Sequence, residues 1–132
     1  MRRNMETVLI EATKCSPYVL LDPIHNSIKI KGTSFPENVT KFYSPVFTWI
    51  EDYLEQLEED KCVITFEIYY FNSSSSKIFL DILDMFDFAV QNGKNIEVFW
   101  IYEEDDDDSL EFGNEFKEDL NYLPFHCIPK SE

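Results

Sequence analysis

Residues 69–86 read YYFNSSSSKIFLDILDMF: an apolar run that stops at Asn72, four serines, and at once a helical pattern. Upstream, KCVITFEIYYF (61–71) alternates, with Ile64, Phe66, Ile68 and Tyr70 on one side and Val63, Thr65, Glu67 and Tyr69 on the other, which predicts a strand. Downstream, SKIFLDILDMFDFAVQNG (76–93) puts Ile78, Phe79, Ile82, Leu83, Phe86, Ala89 and Val90 on one helical face. Lys77, Asp81, Asp84, Gln91 and Asn92 form the opposite face, with Phe88 in their midst and Met85 at its margin. Asn92-Gly93 ends the pattern, glycine supplying the left-handed conformation a helix stop needs. A strand that passes directly into a helix predicts a crossover unit, and therefore parallel pairing with the next strand.

That next strand is NIEVFWIY (95–102), and a short closing strand is expected at FHCI (125–128). Between them SLEFGNEFKEDL (109–120) predicts a short helix with Phe112, Phe116 and Leu120 buried. On the N-terminal side, YVLLD and SIKIKGTS flank PIHN (23–26) as the arms of a hairpin. A further helix follows, with Phe42, Val46, Trp49, Ile50, Tyr53, Leu54 and Leu57 at helical spacing. Its start is either Ser44-Pro45, as cap and first residue, or Asn38, capping a longer helix kinked at Pro45. Lys29, Lys31, Thr65, Glu67 and Glu97 make the outward strand positions polar, unlike a parallel sheet covered on both sides. The expected fold is thus α/β: one domain over residues 1–132, a mixed β-sheet with helices packed mainly on one face.

The chain has 26 acidic and 11 basic residues, a net charge of −15, which repels phosphate backbones and anionic lipid. Nucleic acid and membrane surfaces are therefore excluded as expected partners, and no apolar run approaches the roughly 20 residues of a membrane span. MRRNMETVLIEATK carries no apolar leader segment, and Cys15, Cys62 and Cys127 form no C-x-x-C pair. They read as buried, reduced thiols of a cytoplasmic protein.

The serine run has three readings. As helix caps, Ser and Asn accept bonds from free backbone N–H groups, which accounts for one or two of the hydroxyls. As a nucleophile, Ser74 and Lys77 fit S-x-x-K, a four-residue pattern with two fixed positions and none of its companion motifs. As a modification site, a phosphate at a helix N-terminus meets free N–H groups and the positive end of the dipole, with Lys77 close by. The acidic run Glu103–Asp108 fails the calcium-loop spacing, because the sixth position counted from Asp105 is Leu110 and not glycine. His25 and His126 have no ligand spacing around them. No catalytic residue, metal site or cofactor is expected.

GTSFPEN (32–38), FYSPVFTWIEDYL (42–54), YYFNSSSSK (69–77) and NGKNIEVFWIYEEDDDD (92–108) together resemble the SiaC-like family of small bacterial signalling phosphoproteins. The resemblance runs from about Thr13 to about Ile128 and implies a fold similar to the STAS domain of anti-sigma-factor antagonists. It implies a cytoplasmic, non-enzymatic protein whose phosphorylation is set by a Ser/Thr protein kinase and a PP2C-type phosphatase. In the best-known branch of the family the unphosphorylated form activates a diguanylate cyclase, so the output is cyclic di-GMP. The family's phosphoacceptor, a threonine directly after the asparagine, maps onto Ser73, with Ser74 and Ser75 as alternates. The expected partner surface comprises Asn72, Ser73, Ser74, Lys77 and Phe88. The competing readings are a constitutive interaction domain without a phosphoswitch and a small Ser–Lys hydrolase.

Overall fold

The computed structural model describes residues 5–131. Six strands form one sheet in sequence order: β1 (Val8–Ile10), β2 (Tyr18–Asp22), β3 (Ser27–Ser34), β4 (Cys62–Phe71), β5 (Ile96–Glu103) and β6 (Phe125–Lys130). Three helices connect them, α1 (Val39–Gln56) after β3, α2 (Ser73–Gln91) after β4 and α3 (Asp107–Glu118) after β5. β1–β2 and β2–β3 are antiparallel; β3–β4, β4–β5 and β5–β6 are parallel. Each parallel crossover advances one strand in the same direction. Crossovers of one hand then deliver all three helices to the same face, and the other face stays open.

The covered face is continuous. Val19, Leu21, Ile28, Ile30, Ile64, Phe66, Val98 and Trp100 of the sheet share one core with Val46, Ile50 and Tyr53 of α1, Phe79, Leu83 and Phe86 of α2, and Phe116 of α3. α3 comes close because Gly113 has no side chain: a Cβ there would lie 2.7 Å from Trp100 Cδ1 and 2.9 Å from Cys127 Sγ. The Trp100 indole N–H donates to the Ser109 carbonyl at 2.9 Å. On the open face two carboxylates collect the cations. Glu67 accepts from Lys130 at 2.7 Å and from the Tyr69 hydroxyl at 3.1 Å, and Glu97 meets Lys61 and His126 at 2.6 Å each. Burial pushes the Glu67 carboxyl up, but the bonds from Lys130 and Tyr69 outweigh it and leave the group below the ordinary carboxylate range.

Several expectations are adjusted. α1 starts at Asn38, whose side chain accepts from the Lys41 N–H at 3.0 Å, so Pro45 lies inside the helix. Three-residue β1 is an addition, and Tyr43 joins the core of α1. Phe112 is 43% exposed rather than buried, although its ring packs edge-on against Phe71. Cys62 is buried and its thiol pushed up to about 11, mainly by burial, whereas Cys15 and Cys127 are only half-buried. All three cysteines are free.

Tyr70 departs furthest. The β3–β4 register passes from Gly32↔Ile68 to Thr33↔Tyr70, leaving Tyr69 as an extra, bulged residue. The bulge inverts the alternation: Tyr70 turns outward, 57% exposed, and Phe71 takes the inward position against Phe79 and Trp100.

Candidate functional site

The start of α2 sits at the C-terminal end of parallel strand β4, the end at which α/β sheets place their sites. Asn72 makes the turn. Its N–H donates to the Ser34 carbonyl at 3.2 Å, continuing the ladder with β3. Its own carbonyl then accepts from the Ser76 N–H at 3.0 Å, and its side-chain oxygen from the Ser75 N–H at 2.9 Å. Asn72 is therefore the helix cap, and the serines form the first turn, three residues ahead of the helical stretch read from the sequence as 76–93. The N–H groups of Ser73 and Ser74, first and second in the helix, carry no protein partner among the described residues.

The four hydroxyls have different environments. Ser75 is fully buried, its Oγ 2.8 Å from Ser34 Oγ, which lies 2.6 Å from the Tyr43 hydroxyl. This chain of three buried hydroxyls joins α2, β3 and α1, and burial pushes the Tyr43 phenol up to about 12. Ser76 is half-buried, and Ser73 and Ser74 face solvent. One serine locks the junction from inside, and two present hydroxyls outside it.

Along α2 the exposed positions are Ser73, Ser74, Lys77, Asp81, Asp84, Phe88 and Gln91. At helical pitch these fall within an arc of about 100°, a single stripe along the helix. Phe88 lies on it, 68% exposed, about 22 Å from Ser73 at the helical rise per residue. Counted from the observed start, that separation is about four turns. Four acids crowd its C-terminal half: burial first, then Asp81, Asp87 and Asp119, raise the Asp84 carboxyl above its ordinary value.

Beside the serine run is a rim of aromatics that alternation along β4 did not anticipate. Phe35, Tyr69, Tyr70 and Phe112 are each at least 40% exposed, and Phe35 meets Tyr70 edge-to-face at 5.7 Å. A cleft of about 360 Å³ lies between the end of β4 and the start of α3, lined by Tyr70, Phe71, Asp106, Ser109 and Phe112 among others. The signal available in the sequence was the run Tyr69-Tyr70-Phe71 itself, where three consecutive aromatics cannot all satisfy a two-residue period.

Nucleophile chemistry finds no support in this arrangement. Ser74 and Lys77 are both exposed and no hydrogen bond joins them; His25 pairs with Asp22 in the hairpin turn, and His126 with Glu97 on the open face. Among the described residues no cluster of three His, Cys, Asp or Glu side chains could hold a metal ion. No helix among them is long and apolar enough to cross a membrane.

The junction thus joins a capped helix start and two outward hydroxyls to a broad exposed stripe of α2. The profile of the SiaC family regulatory phosphoproteins matches residues 10–130, and the chain belongs to that family. It is 29% identical over 121 residues to an uncharacterised protein of Pseudomonas aeruginosa strain UCBPP-PA14, covering 92% of this chain and 94% of that one. The crystal structure of apo-SiaC from Pseudomonas aeruginosa superposes with a TM-score of 0.86 at 29% identity, over 94% of this chain and 99% of the other. SiaC in the crystal structure of diguanylate cyclase SiaD in complex with its activator SiaC, from the same organism, gives 0.88 at 28% identity, over 93% and 99%. The mixed sheet with three helices matches these structures.

Proposed function

We infer that the chain is a non-enzymatic phosphoswitch protein of a bacterial partner-switching pathway, with Ser73 as the phosphoacceptor. One observation carries this reading: in a member of a regulatory phosphoprotein family, an exposed serine stands first in a helix whose two leading N–H groups have no partner among the described residues. A phosphate on Ser73 gains those N–H groups and the positive helix end, with Lys77 one turn on. The modified fold is therefore tolerated, while the surface gains nearly two negative charges. Ser74 shares the exposure and remains the alternate. Ser75 leaves the set of acceptors, because its hydroxyl is buried against Ser34 and a phosphate there would break the junction.

The unphosphorylated form engages an effector through Asn72, Ser73, Ser74, Lys77 and Phe88, the exposed stripe of α2 with its cap. The effector is a diguanylate cyclase, a reading supported by the SiaD–SiaC complex of the relative. A Ser/Thr protein kinase and a PP2C-type phosphatase set the state in the cytoplasm. The test is to incubate the protein with its kinase and map the phosphopeptide. Phosphate on Ser73, removed by a PP2C-type phosphatase, is the expected result; phosphate only outside residues 73 and 74 overturns the assignment.

A further inference from the structure

The open face of the sheet carries a feature that the switch does not use. Beside the bulge at Tyr69 lies an open hollow of about 410 Å³, lined by Ala12, Tyr18, Lys29, Lys31, Gly32 and Tyr69. Tyr18 and Lys31 are cross-strand partners on β2 and β3, Lys29 is the next outward residue of β3, and Tyr69 is the extra residue of β4. Gly32 lies in this lining with φ of +127°, a conformation that side chains rarely adopt. A glycine within a strand and a bulge beside it both weaken a ladder; Pro17 lies against Gly32 on one side, 3.6 Å from where a Cβ would stand, and the hollow opens beside it.

The charge of the hollow opposes that of the molecule. In a chain of 26 acids and 11 bases its lining holds two lysines and no carboxylate. Glu67, the nearest acid with a defined partner there, is committed to Lys130 at 2.7 Å and to the Tyr69 hydroxyl at 3.1 Å, and reaches Lys31 only at 4.0 Å. Two phenol rings, a glycine and two ammonium groups, Lys29 without an ion-pair partner among the described residues and Lys31 held by Glu67 only at 4.0 Å, form a mostly apolar hollow with a few placed polar groups, of a size that small ligands fill.

We propose that this hollow binds a small planar anion: an aromatic ring that lies over Gly32 between Tyr18 and Tyr69, bearing a carboxylate or phosphate that Lys29 and Lys31 receive. The ring gains apolar contact with the two phenol rings, and the anion meets the lysines of a lining that holds no carboxylate. The site lies on the opposite side of the sheet from the packed helices, so it is independent of the Ser73 reading.

Two probes distinguish the sources of such an anion: 1-naphthoate for aromatic carboxylates and adenosine 5′-monophosphate for nucleotides, each with its uncharged analogue, 1-naphthamide or adenosine. Titration followed by backbone amide shifts should move Gly32, Lys31 and Tyr69 with one or both anions and hardly at all with the neutral analogues. Lys29→Gln should weaken binding about tenfold, the loss of one charge-assisted contact, and Lys29→Arg should retain it. Lys29 is half-buried and outside the hydrophobic core, and an unchanged melting temperature of Lys29→Gln checks that the variant folds. Absence of shifts with both anions at millimolar concentration, equal binding of the neutral analogues, or unchanged binding by Lys29→Gln each overturns the proposal.

Discussion

The Ser75 hydroxyl stands 2.8 Å from the Ser34 hydroxyl, forty-one residues away in sequence, with neither side chain exposed to solvent. Through this contact the first turn of α2 is fastened to the end of β3, and through Tyr43 to α1. The junction that displays Ser73 is therefore held from behind. A modification on its outer side meets a scaffold that does not have to rearrange.

The middle member of this chain matters most. Ser34→Ala strands both the Ser75 and Tyr43 hydroxyls in the core, and an unsatisfied buried polar group costs about 1–3 kcal/mol. Tyr43→Phe removes only one end and leaves Ser34 bonded to Ser75. Urea unfolding should show the larger loss for Ser34→Ala. An equal or larger loss for Tyr43→Phe would contradict the network.

Asp87 and Asp84, three residues apart on α2, should have opposite pH signatures. Burial raises the Asp87 carboxyl, but bonds from the N–H groups of Tyr122, Leu123 and Asn121 outweigh it and hold the group below its ordinary value. A depressed folded value means stability that is present at neutral pH and lost as pH falls below about 4. Asp87→Asn should lower the melting temperature at pH 7 and converge on the parent protein in acid. A variant whose deficit is the same at both ends of the titration would show that charge is not the cause.

For Asp84 the sign reverses. Its value is raised, by burial first and by Asp81, Asp87 and Asp119 next, so the folded state favours the protonated form. Its contribution is best below the ordinary carboxylate range and is lost as pH rises through the folded value. Asp84→Asn should therefore raise the melting temperature at pH 7, with the gain fading in acid. Destabilisation at neutral pH would mean that Asp84 makes a favourable contact there.

Much of this was legible in the sequence, and the misses share a physical cause. The β2–β3 hairpin, the faces of α1 and α2, the stop at Gly93 and the exposure of Phe88 all follow from local periodicity and turn chemistry. At Gly93 the N–H bonds back to the Val90 carbonyl and that of Lys94 to Ala89, as a glycine-ended helix requires. The outward turn of Tyr70 was hidden because a bulge is set by pairing with β3, which the sequence of β4 does not encode alone. β1 was hidden because three residues are too few to display an alternation. The burial of Ser75 was hidden because polar residues carry no apolar period, so only the Asn72 cap could mark where the helix begins.

Phe88 separates surface from core on one helix. Phe88→Ala should stay within about 0.5 kcal/mol of the parent, whereas Phe79→Ala, fully buried, should cost about 3–5 kcal/mol. The same Phe88→Ala protein should bind the effector more weakly, since Phe88 is the one aromatic on the exposed stripe of α2. Unchanged affinity would confine the docking surface to the N-terminal half of the helix.

Ser73 is where charge should decide binding. The residue follows the cap at the end of β4, faces solvent, and leads a helix whose first two N–H groups have no partner among the described residues. Ser73→Ala keeps the Asn72 cap and the buried Ser75–Ser34 contact, so it should fold as the parent does, bind its effector and resist release by the kinase. Ser73→Asp places one charge, of the sign the helix end favours, where phosphate would place nearly two with three acceptor oxygens. It should therefore weaken binding only in part, and its melting temperature should match or slightly exceed that of Ser73→Ala. Stoichiometrically phosphorylated protein should lose binding through like-charge repulsion and the cost of desolvating the phosphate at a close-packed contact. Calorimetric titration of the effector with the parent, both variants and the phosphorylated form measures this order directly, and full binding by the phosphorylated form would defeat the switch.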